Sequence, residues 1–425
     1  MAGCNPYWNR ETWAGYLTAI ALDPKNVNLL YYAAGNRGRG DIFKSADGGR
    51  TFNAAKVQLD GKPIAIEGGE NASTVGPRLL VDPNNLDVLY YAARFDGLFR
   101  STKASAEGSW SRVESLTARG DVTDVKDGKE SRKNGGWGGL TWVAADASGG
   151  TTKIDDVTVS RILYVSVTGD RKTAQGTQGE GGVWRSQDGG ATWTKLEGPK
   201  GSPHGQVASD GTLYLTGDGA VWKMARGGSK LENLNAPKGK QGYFAFSVDP
   251  KDPKHVVAMR HGLAPREYSY DDNNRIFRST DGGATWTELK AKWNSAAAWW
   301  SWFGAWAHWI YFDPTQKNVV WMGDWANPWR CEDISAPVTQ WTEINRGKGG
   351  SYVVGIVTPP AKKGQIVPPV YNVGADWAGF RLVSVTEPPR VHLTQSREGR
   401  FDGIADGTGV AFCESDPKFV AVVGG

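Results

Sequence analysis

One phrase, Ser-x-Asp-Gly-Gly-x-Thr-aromatic, returns along this 425-residue chain. It reads SADGGRTF from Ser45, SQDGGATW from Ser186 and STDGGATW from Ser279, with a decayed copy, STKASAEGSW, from Ser101. Each copy follows a short apolar–basic stretch (DIFK, GLFR, GVWR or RIFR). The phrase is a hairpin signal: the Asp accepts hydrogen bonds from turn amides, the glycines supply positive φ, and the aromatic turns back into a core. A second phrase precedes it, in which two apolar strands flank Asp-Pro and a polar turn. It occurs as IALDPKNVNLLYYAA, LLVDPNNLDVLYYAA, FSVDPKDPKHVVAM and IYFDPTQKNVVWMG, and a last copy, ESDPKFVAVVGG, closes the sequence. Proline's fixed φ suits that turn position.

Together the two phrases specify four short strands every few dozen residues, which is one propeller blade. Units fall at 18–53, 77–113, 138–196, 203–235, 242–289, 308–344 and 351–386, with a half unit at 407–425. No helical period of useful length occurs. The expected fold is all-β: a β-propeller with Asp-box repeats and about seven four-stranded blades. Residues 1–292 would form a first propeller. Residues 293–425, rich in tryptophan, would start a second one or close the same ring.

Composition narrows the function classes. With 56 glycines, 20 tryptophans and 22% charged residues, the chain is neither disordered nor a coiled coil. The 49 basic against 45 acidic residues leave a net charge of +4, which implies no nucleic-acid or membrane partner. No apolar run is long enough for a transmembrane helix. The start, MAGCNPYWNRETW, lacks the apolar core of a signal peptide. Three cysteines and five scattered histidines show no zinc spacing, so neither a metal nor a cofactor is expected.

Because Asp47, Asp188 and Asp281 recur around the repeat while an active site occurs once, they read as turn braces. Chemistry belongs in the irregular parts. Trp299, Trp300, Trp302 and Trp306 crowd one Gly/Ala-rich segment, Trp325 follows in the next loop, and Trp377 lies in another Gly-rich stretch. Indole offers a large rigid apolar face with an N–H handle, which suits the flat C–H faces of sugar rings. Tryptophans on strands, such as Trp142, Trp184, Trp222 and Trp309, read as core. Asp376, in VYNVGADWAGF, follows a strand and is flanked in sequence by Trp377 and Phe380. Apolar surroundings raise a carboxyl pKa, the property a general acid needs. A plain loop-bracing role is the competing reading.

The order of these pieces resembles the xyloglucan-hydrolysing propellers of glycoside hydrolase family 74. The stretches that carry the resemblance run from IALDPKNVNLLYYAAG through PHGQVASDGTLYLTGDGAVWKM and WFGAWAHWIYFDP to VYNVGADWAGF. It implies two tandem propellers flanking a cleft, an extracellular or cell-surface location, and inverting hydrolysis of a β-glucan with Asp376 as the proton donor. The family's aromatic subsite segment resembles Phe303, Gly304 and Trp306. The blade that carries the family's general base has no counterpart here, so a partner chain or a missing segment would complete the propellers. Asp324, Asp41, Glu67 and Glu70 are the loop carboxylates left to weigh as the base. The alternative is a non-catalytic propeller for carbohydrate binding or protein assembly. A sialidase would carry a Phe/Tyr-Arg-Ile-Pro phrase and a sortilin-like receptor a Cys-rich module; the sequence has neither.

Overall fold

The computed structural model describes residues 16–36, 39–64, 66, 76–94, 96–117, 123–126, 129–132, 139–168, 181–202, 204–238, 242–260, 275–294, 303–304, 307, 309–324, 328–344, 353–358, 370–374, 378–382, 391–392, 407–413 and 420–424. Among these residues there is no helix. The chain divides into two compact units: Met1–Leu289 with Gly304–Lys317, and Lys290–Phe303 with Asn318–Gly425.

Among the described residues the first unit holds five four-stranded antiparallel sheets, each the blade unit of a propeller. The first blade comprises Tyr16–Leu22, Leu30–Asn36, Arg39–Ser45 and Asn53–Ala54. The second comprises Leu79–Val81, Leu89–Ala93, Gly97–Ser101 and Trp110–Arg112. The third comprises Gly139–Ala145, Leu163–Thr168, Gly182–Ser186 and Thr194–Lys195, and the hairpin Thr151–Ile154/Val157–Ser160 between its first two strands accounts for its greater length. The fourth runs from His204–Val207 to Glu232–Asn233 and the fifth from Tyr243–Asp249 to Thr287–Glu288. Strand Trp309–Phe312 also belongs to this unit.

In the second unit, Val320–Gly323, Pro328–Cys331 and Val338–Glu343 form an antiparallel meander. Lys290–Asn294 adds to it parallel to the last strand, with Trp293 opposite Trp341. A four-stranded meander from Val353–Val357 to Val391–His392 follows. The half unit expected at 407–425 is the hairpin Gly407–Phe412/Val420–Gly424.

Burial follows the repeat. Counting back from the aspartate of each Asp-Pro turn, the residues one and three places earlier are Val81 and Leu79, Val248 and Phe246, and Phe312 and Ile310, all buried. Leu79 and Val81 share one core with Tyr31, Ala33 and Ile42 of the blade before. The same positions in the first blade behave differently: Leu22 is 59% exposed and Ile20 is 52% exposed.

Candidate functional site

The repeated phrase builds one turn three times, between the third and fourth strands of a blade. The Ser45 hydroxyl donates to Asp47 Oδ1 at 2.8 Å and accepts the amides of Asp47 and Gly49 at 3.3 and 2.9 Å. Asp47 in turn accepts the amides of Arg50 and Thr51, each at 2.9 Å, and the Thr51 hydroxyl at 2.6 Å. Ser186–Asp188–Thr192 and Ser279–Asp281–Thr285 repeat this network. Both glycines of each copy have positive φ, from 71° to 95°. Hydroxyl and amide donors from Thr51 and Ser45 hold the Asp47 carboxyl well below its ordinary value, and Thr285 does the same for Asp281, at about 2. Desolvation pushes the Asp188 carboxyl up, but the Thr192 hydroxyl and amide outweigh it and the net shift is downward. These carboxylates have their lone pairs committed to their own turns, which is a brace and not a reaction centre.

Each box turn is also tied to the start of its blade's second strand. Gly48 N–H donates to Asn28 C=O, Gly189 to Arg161 and Gly282 to Lys254, each at 2.9 Å. The decayed copy keeps the link through Ala104 and Asp87 at 2.7 Å, and the second unit repeats it through Ile334 and Asn318 at 2.9 Å. The Asp-Pro aspartates brace their own turns: Asp23 Oδ1 accepts the amides of Lys25 and Asn26, and Asp313 Oδ1 those of Thr315 and Gln316.

Asp376 and Trp377 lie outside the described residues, as do Trp299, Trp300, Trp302, Trp306, Trp325, Glu67 and Glu70. The strands around Asp376 are described: Val370–Gly374 pairs with Ala378–Leu382, and Gly374 faces Ala378. The carboxylate therefore belongs to the three-residue connection of a hairpin between the second and third strands of its sheet.

Other members of the tryptophan-rich region are core. Phe303 is 2% exposed; Trp293 stacks on it at 5.1 Å with the planes 4° apart, Trp329 meets it edge-on at 5.1 Å, and Trp341 lies at 5.5 Å. Trp329 and Trp341 are fully buried and keep their N–H groups satisfied, on Asp324 Oδ2 at 2.6 Å and Thr339 Oγ1 at 3.0 Å. So enclosed, the Phe303 ring has no face left for a sugar, against the expectation drawn from the subsite segment. Of the strand tryptophans, Trp142 is fully buried, while Trp184, Trp222 and Trp309 are only half-buried.

Two carboxylates weighed as a base are accounted for. Asp41 accepts the amides of Ile42, Lys56 and Val57 at 2.7, 2.8 and 3.0 Å, stitching its strand to the segment after it. Burial raises its pKa, partly offset by those amides. Asp324 accepts the buried indole N–H of Trp329. Among the described residues, no group of three or more His, Cys, Asp or Glu is placed to hold a metal ion, and no helix is long and apolar enough to cross a membrane.

Sequence reasoning passed over one feature. Trp309 and Tyr311 alternate with the buried Ile310 and Phe312, so both project from one side of their strand. Their rings lie 5.9 Å apart with planes 20° from parallel, and Tyr311 is 39% exposed. The matching positions vary: Ala19 and Ala21 before Asp23, Arg78 and Leu80 before Asp82, Ala245 and Ser247 before Asp249.

No protein-family profile matches the chain. A xyloglucanase of a Paenibacillus species is 30% identical over 307 residues, which is 66% of this chain and 27% of that protein. A xyloglucanase of Acetivibrio thermocellus is 29% identical over 298 residues, 64% of this chain and 32% of the relative. One from Hypocrea jecorina is 28% identical over 300 residues, 65% and 33% respectively. The chain thus spans a third or less of the length of these curated relatives. Among solved structures, a family 74 enzyme of Niastella koreensis superposes with a TM-score of 0.74 at 24% identity, covering 96% of this chain and 56% of the other. The family 74 xyloglucanase of Xanthomonas campestris gives 0.75 at 24%, with 96% and 57% covered. The chain is therefore an all-β propeller protein that matches, over part of their length, the xyloglucanases of glycoside hydrolase family 74.

Proposed function

We propose that this chain takes part in the hydrolysis of a xyloglucan-type β-glucan outside the cell or at its surface. The observation that carries the reading is the similarity to three xyloglucanases over about two thirds of the chain. In this proposal Asp376 protonates the leaving glycosidic oxygen as the C–O bond breaks. A water, relieved of its proton by a second carboxylate, adds to the anomeric carbon from the opposite face. Inversion requires the two carboxyl groups to stand about 6.5–9.5 Å apart, with the water between them. Trp299, Trp300, Trp302, Trp306, Trp325 and Trp377 are proposed to stack on the glucan. Residues from about 293 onward are proposed to begin a second propeller, the first ending near residue 292.

The base is unassigned, and the commitments of Asp41 and Asp324 to their own hydrogen bonds favour a second reading: a propeller that binds glucan without cutting it. Product release from xyloglucan, measured together with retention on a xyloglucan gel, separates the two. Turnover that disappears in Asp376→Asn while binding persists supports the enzyme. Retention without any product from the wild type supports the binding module. Turnover untouched by Asp376→Asn removes that residue from the mechanism.

A further inference from the structure

We propose that His255 is an acid-operated catch: as a neutral imidazole it holds the strand Trp309–Phe312 against the fifth blade, and on taking up a proton it lets that strand go. The repeat supplies five counterparts to its position. The residue just before the one that pairs with the end of the third strand is Leu29, Val88, Ile162 and Val319 in four other sheets, and Thr212 in the fourth blade. None of these side chains ionises. Val88 shares a core with Leu140 and Val143 of the third blade, and Ile162 shares one with Leu213 of the fourth, so the position faces the next sheet. The fifth blade places His255 there, 7% exposed.

The surroundings of this imidazole accept one of its two protonation states. Its ring meets Phe312 with centroids 4.8 Å apart, and the Phe312 N–H donates to Ser247 Oγ at 3.2 Å. Nδ1 lies 3.5 Å from Asp249 Oδ2, and Asp249 Oδ1 accepts the Lys251 amide at 2.8 Å. Nε2 is buried with no hydrogen-bond partner among the described residues. A neutral ring tolerates this, because its one proton can sit on Nδ1, towards Asp249, and leave Nε2 bare. An imidazolium would bury a second N–H with no acceptor for it. The charges nearby do not reverse the balance. Asp249 on the first strand and Asp252 on its own strand favour the cation, and Arg278 on the third strand opposes it. Lys254, next in sequence, points to the other face of its strand. In the strand Trp309–Phe312 the one titratable residue, Tyr311, projects from the side opposite Phe312. Burial outweighs the two carboxylates, so folding lowers the pKa of His255 below its ordinary 6.5. Between that lower value and 6.5 the opened state holds more protons than the closed one. The closed state therefore has its full stability above about pH 6.5 and loses it as the pH falls through the folded value.

The test is native-state hydrogen exchange of the full chain, read at the Phe312 amide and corrected for intrinsic exchange, between about pH 7.5 and about pH 5. Protection of that amide should fall at least about fivefold across the range. The Val143 amide, which donates to Pro77 C=O between the third and second blades, should keep its protection. His255→Leu restores the aliphatic side chain of the other blades and should abolish the pH dependence at Phe312. Asp249→Asn withdraws a carboxylate that favours the cation while keeping the Oδ1 acceptor, and should move the fall to lower pH. If His255→Leu does not fold, His255→Gln, which takes up no proton in this range, decides in its place. Wild-type protection at Phe312 that does not change with pH overturns the catch. A fall that persists undiminished in His255→Leu or His255→Gln overturns it as well.

Discussion

A serine hydroxyl, a carboxylate and a threonine meet in the same hydrogen-bonded arrangement at Asp47, Asp188 and Asp281, and the consequence is measurable at single residues. Asp188→Ala removes acceptors from the Ser186 and Thr192 hydroxyls and the Thr192 amide. We expect about 1–2 kcal/mol of lost stability in denaturant melts, with unchanged retention on xyloglucan gels. A folded Asp188→Ala chain that no longer binds would give this carboxylate a role in the site. Asp281 makes a pH prediction. Folding lowers its pKa from 3.8 to about 2, so between those values the unfolded chain holds more protons than the folded one. Its contribution is complete above about pH 4 and is lost as the pH falls towards 2. A carboxyl-carbon NMR titration of Asp281 should show a midpoint near 2, moving up in Thr285→Val, which removes the largest cause of the shift. The turn role was legible from the sequence because it repeats. The packing of Phe303 was not, because its partners Trp293, Trp329 and Trp341 come from three other strands, and no local pattern announces them.

At the scale of elements, the two phrases marked the blades closely: the units expected at 77–113 and 203–235 contain sheets spanning Leu79–Arg112 and His204–Asn233. Asp-Pro and Gly-Gly pairs locate turns by backbone chemistry, and the strands lie between them. Insertions carry no such punctuation. The hairpin Thr151–Ile154/Val157–Ser160 and the parallel strand Lys290–Asn294 both lie outside the repeat. That parallel strand is held by packing: Thr339 Oγ1 donates to Lys290 C=O at 3.0 Å, and Trp293 reaches Phe303. Phe303→Ala should therefore cost about 3–5 kcal/mol, the range for deleting a buried aromatic ring. A fully stable Phe303→Ala chain with impaired glucan retention would return this ring to the site.

At the scale of the whole molecule, one position of the repeat offers an internal control. Leu22 and Val248 both stand immediately before an Asp-Pro aspartate, yet Leu22 is exposed and Val248 fully buried. Leu22→Glu should change the urea midpoint by no more than about 0.5 kcal/mol equivalent, whereas Val248→Glu, which buries an unpaired charge, should cost more than about 4 kcal/mol. A large loss in Leu22→Glu would mean that the first blade is covered on that side in solution. Repetition made the number of blades legible, since each unit carries its own punctuation. Trp309 reads from the sequence as a core residue, and in its strand it is half-buried.

The amide link from the turn before the fourth strand to the start of the second strand, as between Gly189 and Arg161, closes four of the five blades of the first unit on themselves within a few dozen residues. Loop-closure entropy is therefore met in short steps, and contact order stays low for an all-β chain of this size. Folding should then advance one blade at a time, each meander a cooperative unit with its own opening free energy. Native-state hydrogen exchange would show this as amides sorted by blade, with the Gly48, Gly189 and Gly282 N–H groups exchanging together with the second strands of their own sheets.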